Sequence, residues 1–484
     1  MDIVFGLLAA FVFLLLSVLR GVTLVWPLGV AIALFILIHY RRGQPLPTLL
    51  KFCWQGAKQS WPVFSILLLI GALMSTWLAA GTVPALVYYG TQLIHPHYFI
   101  LSAFILTALI STLIGTSFGA AGTIGLALMI MARTSGMSHL NLVAGAIIAG
   151  AYVGDRCSPL SSSAHLVAIV TDTRIYQNLK QMLLTSLLPL ALTLLIYGIL
   201  SWFYPLEISQ QSDISQTIAD AFNLSGITLL PALLVLVLAA VRVNVKLTII
   251  LGWIVAAILA VNLQSYSFIE VLRFTLWGFR LDNNPQLRSI LLGGGLWPMF
   301  SVCTVVLLST TLSGLLTGTR SLERVGRWLH GAQQPRTLFT GTTLISLVSA
   351  AFGCTQTITI LLTHQLVSPY YRQQDYGHRQ VAIDLENTAV VLAPMIPWNI
   401  AGLVPATLLM VGPGFIPFAV YLYLVPLCNW LWPTRLESAP WQIKYLTSGD
   451  LWVWPSISSQ VKFNRNATMS LKGLFQNSYF YLFL

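Results

Sequence analysis

Asp155 is the one acidic residue between Asp2 and Asp172, and it sits in the run Gly154-Asp155-Arg156-Cys157-Ser158-Pro159-Leu160-Ser161. Ser162 and Ser163 follow, and Pro159 removes a backbone donor at the same place. A carboxylate, several hydroxyls and freed main-chain carbonyls are the oxygen ligands that a hard cation takes. A carboxyl group in apolar surroundings can alternatively hold a proton. Two readings of Asp155 follow: an exchangeable acid, or the acidic half of a structural ion pair with Arg156.

A second constellation runs from Asp384-Leu385-Glu386-Asn387-Thr388 to Pro394-Met395-Ile396-Pro397-Trp398-Asn399. Asp384 and Glu386 open an apolar segment and read either as site groups or as solvated loop residues, with Glu386 and Asn387 lying deeper. Pro394 and Pro397 leave upstream carbonyls unpaired, and Asn399 adds an amide at the break. Trp398 either walls a cavity or packs against lipid. Two shorter polar interruptions match each other in placement, Thr116-Ser117 after Gly115 and Thr355-Gln356 after Gly353-Cys354. Small residues allow a tight hairpin tip near a ligand there. His165 and His364 read as packed residues or as proton carriers.

Other chemistries lack their parts. Gly115-Thr116-Ser117-Phe118-Gly119 fits the nucleophile-elbow pattern, but that turn requires a strand before it and a helix after it, whereas long apolar helical runs flank this one. No HExxH or Walker A run is present, and no cofactor is implied. The five cysteines show no paired or metal-ligand spacing. These absences point away from an enzyme.

The chain that must position these residues has 484 residues, of which 56% are hydrophobic and 8% charged. Not one Asp, Glu, Lys or Arg occurs between Lys58 and Arg133. Apolar stretches long enough to span a bilayer recur along almost the whole sequence. The net charge of +11 comes from basic residues scattered singly in loops, which suits cytoplasmic loops and not nucleic acid. Lipid cannot satisfy freed backbone groups, so polar, helix-breaking runs at membrane depth belong around a cavity or a solute.

The fold expected is all-α: a polytopic membrane transporter with two inverted-topology repeats, each holding a re-entrant hairpin and a broken transmembrane helix. The basic stretch His39 to Ser60 reads as an inside loop after two spans, which places the N-terminus inside. Pro84 to His97 reads as an outside loop. Spans are expected near 3–19, 22–38, 62–80, 183–204, 226–241, 247–262, 289–318 and 415–432. Same-side pairs are expected at 98–132 and 338–364, and broken crossings at 141–171 and 381–413. The interval from Gly115 to Ser158 nearly equals that from Gly353 to Ala393. Paired breaks at corresponding positions of inverted halves point to a transporter's binding site. The alternative is that Gly and Ser only permit close helix packing, as in Gly150-x-x-x-Gly154. The chain divides into a first repeat at 1–204, an extracytoplasmic linker at 205–225, a second repeat at 226–432 and an irregular cytoplasmic tail at 433–484. Met1 to Leu19 reads as a first span, not a signal peptide.

Three runs carry a family resemblance: GTSFGAAGTIGLAL at 115–128, AGAIIAGAYVGDRCSPLSSSAHLVA at 144–168 and DLENTAVVLAPMIPWNIAG at 384–402. They resemble the NhaC-type sodium/proton antiporters, over roughly residues 1–432. The resemblance implies sodium export coupled to proton entry across a cell membrane. It carries over Asp155, Ser158, Ser161, Asn387, Trp398 and Asn399 as site residues, with Asp155, Ser158 and Asn387 the candidate ligands of the transported sodium. Thr116, Ser117, Thr355, Gln356 and Glu386 join them by placement. Many relatives read SPLSDTTN where this chain has Ser162 for the second acid and His165 for the Asn, which leaves Asp155 as the sole acid there. Some relatives exchange organic acids or carry amino acids, so a sodium- or proton-coupled carrier of such a solute is the alternative. The partners expected are sodium and protons or that solute, the lipid bilayer and a second copy in a homodimer, with no nucleic acid.

Overall fold

A computed structural model describes residues 2–93, 95–135, 137–206, 216–241, 243–281, 293–322, 334–374 and 376–432. The expected tail at 433–484 and residues 207–215 of the expected linker lie outside them. The described chain is nearly all helix, apart from turns and one isolated bridge between Phe279 and Gly293. Helices let an apolar chain close its own backbone hydrogen bonds, which lipid requires. Four described helices are long and apolar enough to cross a membrane: Leu46–Ala79, Pro96–Ile114, Ile175–Phe203 and Leu296–Gly318. The bent pair His378–Met395 and Ile400–Leu408, turned by 53° at its break, makes a fifth if counted as one span. Shorter apolar helices accompany them. This is the architecture of a multi-pass membrane protein.

Two expected loops are helices. The basic stretch between His39 and Ser60 folds as Leu46–Lys58, with Pro47 in its first turn. Leu49, Cys53 and Gly56 recur at helical spacing and form its buried stripe. Gly56 lies so close to the helix Leu296–Gly318 that a Cβ there would meet the Thr310 carbonyl oxygen at 2.3 Å. Charge alone hid that stripe in the sequence. The expected outside loop after Pro84 belongs instead to the helix Thr82–Leu93. The span expected to start at 289 begins at Leu296, after Gly293-Gly294-Gly295 crosses the helix Trp61–Ala79, with the Gly295 N–H donating to Gly71 O at 2.6 Å.

Four interruptions shape the centre. Phe99–Ile114 ends at Gly115 in the left-handed region (φ 78°), Thr116 is extended, and helix resumes at Ser117. Pro335–Gly353 ends at Cys354, also left-handed (φ 56°), Thr355 is extended, and helix resumes at Gln356. The matching turn residue is therefore Cys354, one position later than Gly353. Leu140–Cys157 breaks at Ser158 and restarts as Ser162–Val170 with Ser161 as its cap. His378–Asn387 continues through short turns to Met395 and restarts as Ile400–Leu408 with Asn399 as its cap.

The helix Leu140–Cys157 is buried along almost its whole length and makes its broadest contact with Phe99–Ile114. Gly150 and Gly154 permit that approach. A Cβ on Gly154 would stand 2.1 Å from the Ser111 carbonyl carbon, and one on Gly150 2.5 Å from Phe104 O. The close-packing reading of this glycine pair holds, and it delivers Asp155 to the break.

Candidate functional site

Asp155 occupies the last turn of Leu140–Cys157 and is 3% exposed. Its Oδ2 accepts a hydrogen bond from Gln356 Nε2 at 2.8 Å, across from the break at Cys354–Thr355. The same amide nitrogen reaches Val390 O at 3.4 Å. The Ser117 backbone N–H also acts on the Asp155 carboxyl group. Ser161 and Ser163 further donate to the Asp155 main-chain oxygen, Ser163 at 2.8 Å, a carbonyl freed by the end of the helix. Residues from three of the four interruptions thus converge on one carboxylate. Glu386, 1% exposed, belongs to the last turn of His378–Asn387 and lies within electrostatic reach of both Asp155 and Arg156. Its Oε2 is buried without a hydrogen-bond partner.

Arg156 does not pair with Asp155. Its guanidinium donates to Glu386 O and Met182 O at 3.2 Å each, to Thr185 Oγ1 at 2.7 Å and Tyr421 Oη at 3.2 Å, and to Ser186 Oγ and Asn387 Oδ1. Four helices are tied together by this one side chain, Leu140–Cys157, Ile175–Phe203, His378–Asn387 and Val420–Leu431. The ion-pair reading of Asp155 falls away, because the guanidinium's donors are already taken by neutral groups.

Other expected site residues hold the breaks in place. Ser158 Oγ donates to Thr112 O at 2.7 Å, and Thr355 Oγ1 caps Ile358 N at 3.1 Å. Trp398 Nε1 donates to Ala351 O at 2.6 Å and Asn399 Nδ2 to Ala350 O at 2.8 Å. These are carbonyls released at the end of Pro335–Gly353. Trp398 is fully buried with its ring edge-on to Phe11, so it packs inside the protein and not against lipid. Thr116 supplies the extended residue of its turn. His165 and Ser162 are exposed, His165 donating to Ser161 O, and His364 is half-buried about two turns beyond Gln356.

Asp384 is a buried helix residue, so its solvated-loop reading is overturned. It accepts hydrogen bonds from Tyr371 Oη at 2.7 Å and Gln380 Nε2 at 3.0 Å. Sequence reading did not name Tyr371, Thr185, Ser186 or Tyr421. Thr185 and Ser186 stand side by side in one apolar run, Tyr421 lies in another and Tyr371 follows Tyr370 at the end of a helix, with no local pattern to mark them.

The sequence profile of the Na+/H+ antiporter family matches residues 2–164 and 150–429, which take in every residue above. The chain belongs to the Na+/H+ antiporter family. Relatives of this antiporter-family chain differ in cargo. It is 29% identical over 399 residues to the Na+/H+ antiporter NhaC of Bacillus subtilis, covering 80% of this chain and 87% of that one. It is 27% identical over 415 residues to the malate-2H+/Na+-lactate antiporter of the same organism, covering 83% and 88%. The arginine/ornithine antiporter ArcD of Halobacterium salinarum is 27% identical over 354 residues, covering 71% and 72%.

Proposed function

We propose that this chain exports sodium in exchange for protons across a cell membrane, with Asp155 as the group that holds either cation. The observation that carries the reading is the buried Asp155 carboxylate at the meeting of the breaks, with Gln356 Nε2 on one oxygen and Glu386 close by. Exchange is coupled when one ion must leave before the other binds. A carboxylate surrounded by hydroxyls and amides can do that, since oxygen ligands suit sodium and the same oxygens take a proton. Of the expected sodium ligands, Asn387 has its side-chain oxygen engaged by Arg156 and Ser158 is engaged by Thr112. Asp155 with Glu386, whose Oε2 has no hydrogen-bond partner, is therefore the better-supported pair.

The two-repeat plan is part of the proposal. What supports it is the repeated order of interrupted helices and the shared left-handed-then-extended pair at Gly115-Thr116 and Cys354-Thr355. In that plan residues 1–204 and 226–432 are oppositely oriented, the turns are hairpin tips, and the N-terminus and tail face the cytoplasm.

An organic-anion carrier is the second reading, favoured by the malate/lactate and arginine/ornithine relatives. Arg156, the cation beside the break that could have met an anion, has its donors engaged by protein groups. The deciding test uses purified protein in liposomes with a trapped pH dye, offered sodium, potassium, lithium, malate or amino acids in turn. Sodium is expected to release protons. Asp155→Asn, which keeps volume but not charge, is expected to abolish that release while the protein remains inserted. Undiminished exchange in Asp155→Asn would move the coupling acid to Glu386. Malate-dependent exchange without any sodium response would favour the second reading.

A further inference from the structure

Five exposed cations gather where three helices meet. Arg41 and Arg42 close the helix Val25–Arg41, Lys51 and Lys58 lie on Leu46–Lys58, and Arg320 follows Leu296–Gly318. Packing holds these ends together. His39 Nε2 and Ser321 Oγ are hydrogen-bonded at 2.9 Å, and a Cβ on Gly56 would stand 2.8 Å from the Gly314 Cα. No acidic residue lies on any of the three helices. The helix with the two lysines runs on into Trp61–Ala79, giving 34 residues from Leu46 to Ala79. At 1.5 Å per residue that is about 51 Å, against about 30 Å of hydrocarbon. One end must therefore reach the headgroup layer, and the lysines mark this one, since no charged residue occurs between Lys58 and Arg133. The same helix is apolar beside its charges. Leu46, Leu50 and Trp54 recur at every fourth position and are exposed. Lys58 Nζ lies 5.5 Å over the Trp54 ring, so its ammonium leans one turn back towards Lys51.

We propose that this basic helix end is a docking site for an anionic phospholipid of the surrounding membrane. The headgroup phosphate sits among Lys51, Lys58 and Arg41, and an acyl chain lies along Leu50 and Trp54 towards exposed Trp61. Arg42 and Arg320 add to the positive field. Charge complementarity selects an anion, and the apolar row selects one that carries a chain. A soluble anion gains nothing from Leu50 and Trp54. A zwitterionic lipid brings its own cation and meets the lysines with no net charge. Each cation near a lipid surface favours anionic headgroups by about fivefold. The five like charges also crowd a place where segments from both parts of the chain meet, 25–58 and 296–321, so a bound anionic lipid relieves their repulsion and clamps the two together. None of these residues belongs to the Asp155 site, and the inference is independent of the cargo.

The test uses the purified full chain in detergent micelles that contain phosphatidylcholine, with the thermal unfolding midpoint read as phosphatidylglycerol is titrated in. Phosphatidylglycerol is expected to raise the midpoint by several degrees, and equal additions of phosphatidylcholine or of glycerol phosphate to leave it unchanged. Lys51→Gln with Lys58→Gln is expected to raise the half-saturating phosphatidylglycerol by about twenty-five-fold. Both lysines are exposed, so this double variant should unfold at the wild-type midpoint when no phosphatidylglycerol is present. Lys180→Gln, at an exposed position on Ile175–Phe203, is the control and should respond as the wild type does. No response to phosphatidylglycerol, an undiminished response in the double variant, or an equal loss in Lys180→Gln overturns the assignment. An equal response to glycerol phosphate makes the ligand a free anion, and an equal response to phosphatidylcholine makes the surface indifferent to charge; either result overturns it too. If the double variant does not fold, the wild type alone decides. Raising salt from about 50 to about 500 mM is expected to weaken its phosphatidylglycerol response by about tenfold, and a response that salt leaves unchanged would show that the cations do not carry it.

Discussion

Replacing Gln356 with alanine removes the amide that donates to Asp155 Oδ2 at 2.8 Å. Hydrogen bonds to charged groups contribute about 1.5–3 kcal/mol. Gln356→Ala is therefore expected to raise the half-saturating sodium concentration by about tenfold or more, read from the dye signal against sodium concentration. Protons and sodium compete for one carboxylate, so half-saturating sodium should fall as pH rises, in both wild type and variant. A Gln356→Ala protein with unchanged sodium dependence would show that the amide does not serve the cargo. Trp398 and Asn399 carry the opposite lesson. Both lie in a run that resembles the family motif, yet their polar atoms serve the Ala350 and Ala351 carbonyls. Their replacement should lower stability before it alters ion selectivity.

At the scale of elements, the site depends on how closely two helices approach. Leu140–Cys157 reaches the backbone of Phe99–Ile114 because Gly154 has no side chain. An added Cβ would meet backbone atoms of Ser111 and Thr112, which cannot swing aside as a flexible side chain does. Overpacking of this kind costs about 1–3 kcal/mol. Gly154→Ala should lower the thermal unfolding midpoint in detergent by several degrees, while Gly198→Ala, with nothing within 4 Å, should leave it unchanged. Equal midpoints for the two variants would mean that the helices can separate at little cost. Gly115 faces a second demand, since its φ of 78° suits a residue without Cβ. Cys354 meets the same backbone turn with a side chain, fully buried and with its thiol donating to Ala351 O.

Across the whole molecule, the family match ends at residue 429 and the described helices end at Leu431. The exchange chemistry proposed here lies inside those limits. A chain truncated after Trp432 is expected to insert and to exchange ions at about the wild-type rate, measured in the same liposome assay. Loss of exchange in a truncated protein that still inserts would give the tail a role in transport. The outer surface has a different task. Exposed Trp26, Trp61, Trp202 and Trp297 belong to the apolar exterior that a multi-pass protein presents to lipid.

Much of this molecule is legible in its amino-acid sequence. Apolar runs, the missing charges between Lys58 and Arg133 and the four polar breaks require a helical membrane protein, because lipid leaves an interrupted backbone no other partners. The local motif also places Asp155 and the turns at Thr116 and Thr355. Other features needed the folded chain. Arg156 follows Asp155 in sequence, and adjacency suggested a pair, but successive helical residues point about 100° apart. Its partners Thr185, Ser186, Asn387 and Tyr421 come from three other helices, and no local pattern announces them. The burial of Asp384 and the helix Leu46–Lys58 were hidden likewise, since burial is set by neighbours distant in sequence. Sequence determined which groups had to be protected from lipid. Tertiary packing decided which group protects which, because hydrogen-bond partners and counter-charges are chosen by distance in space.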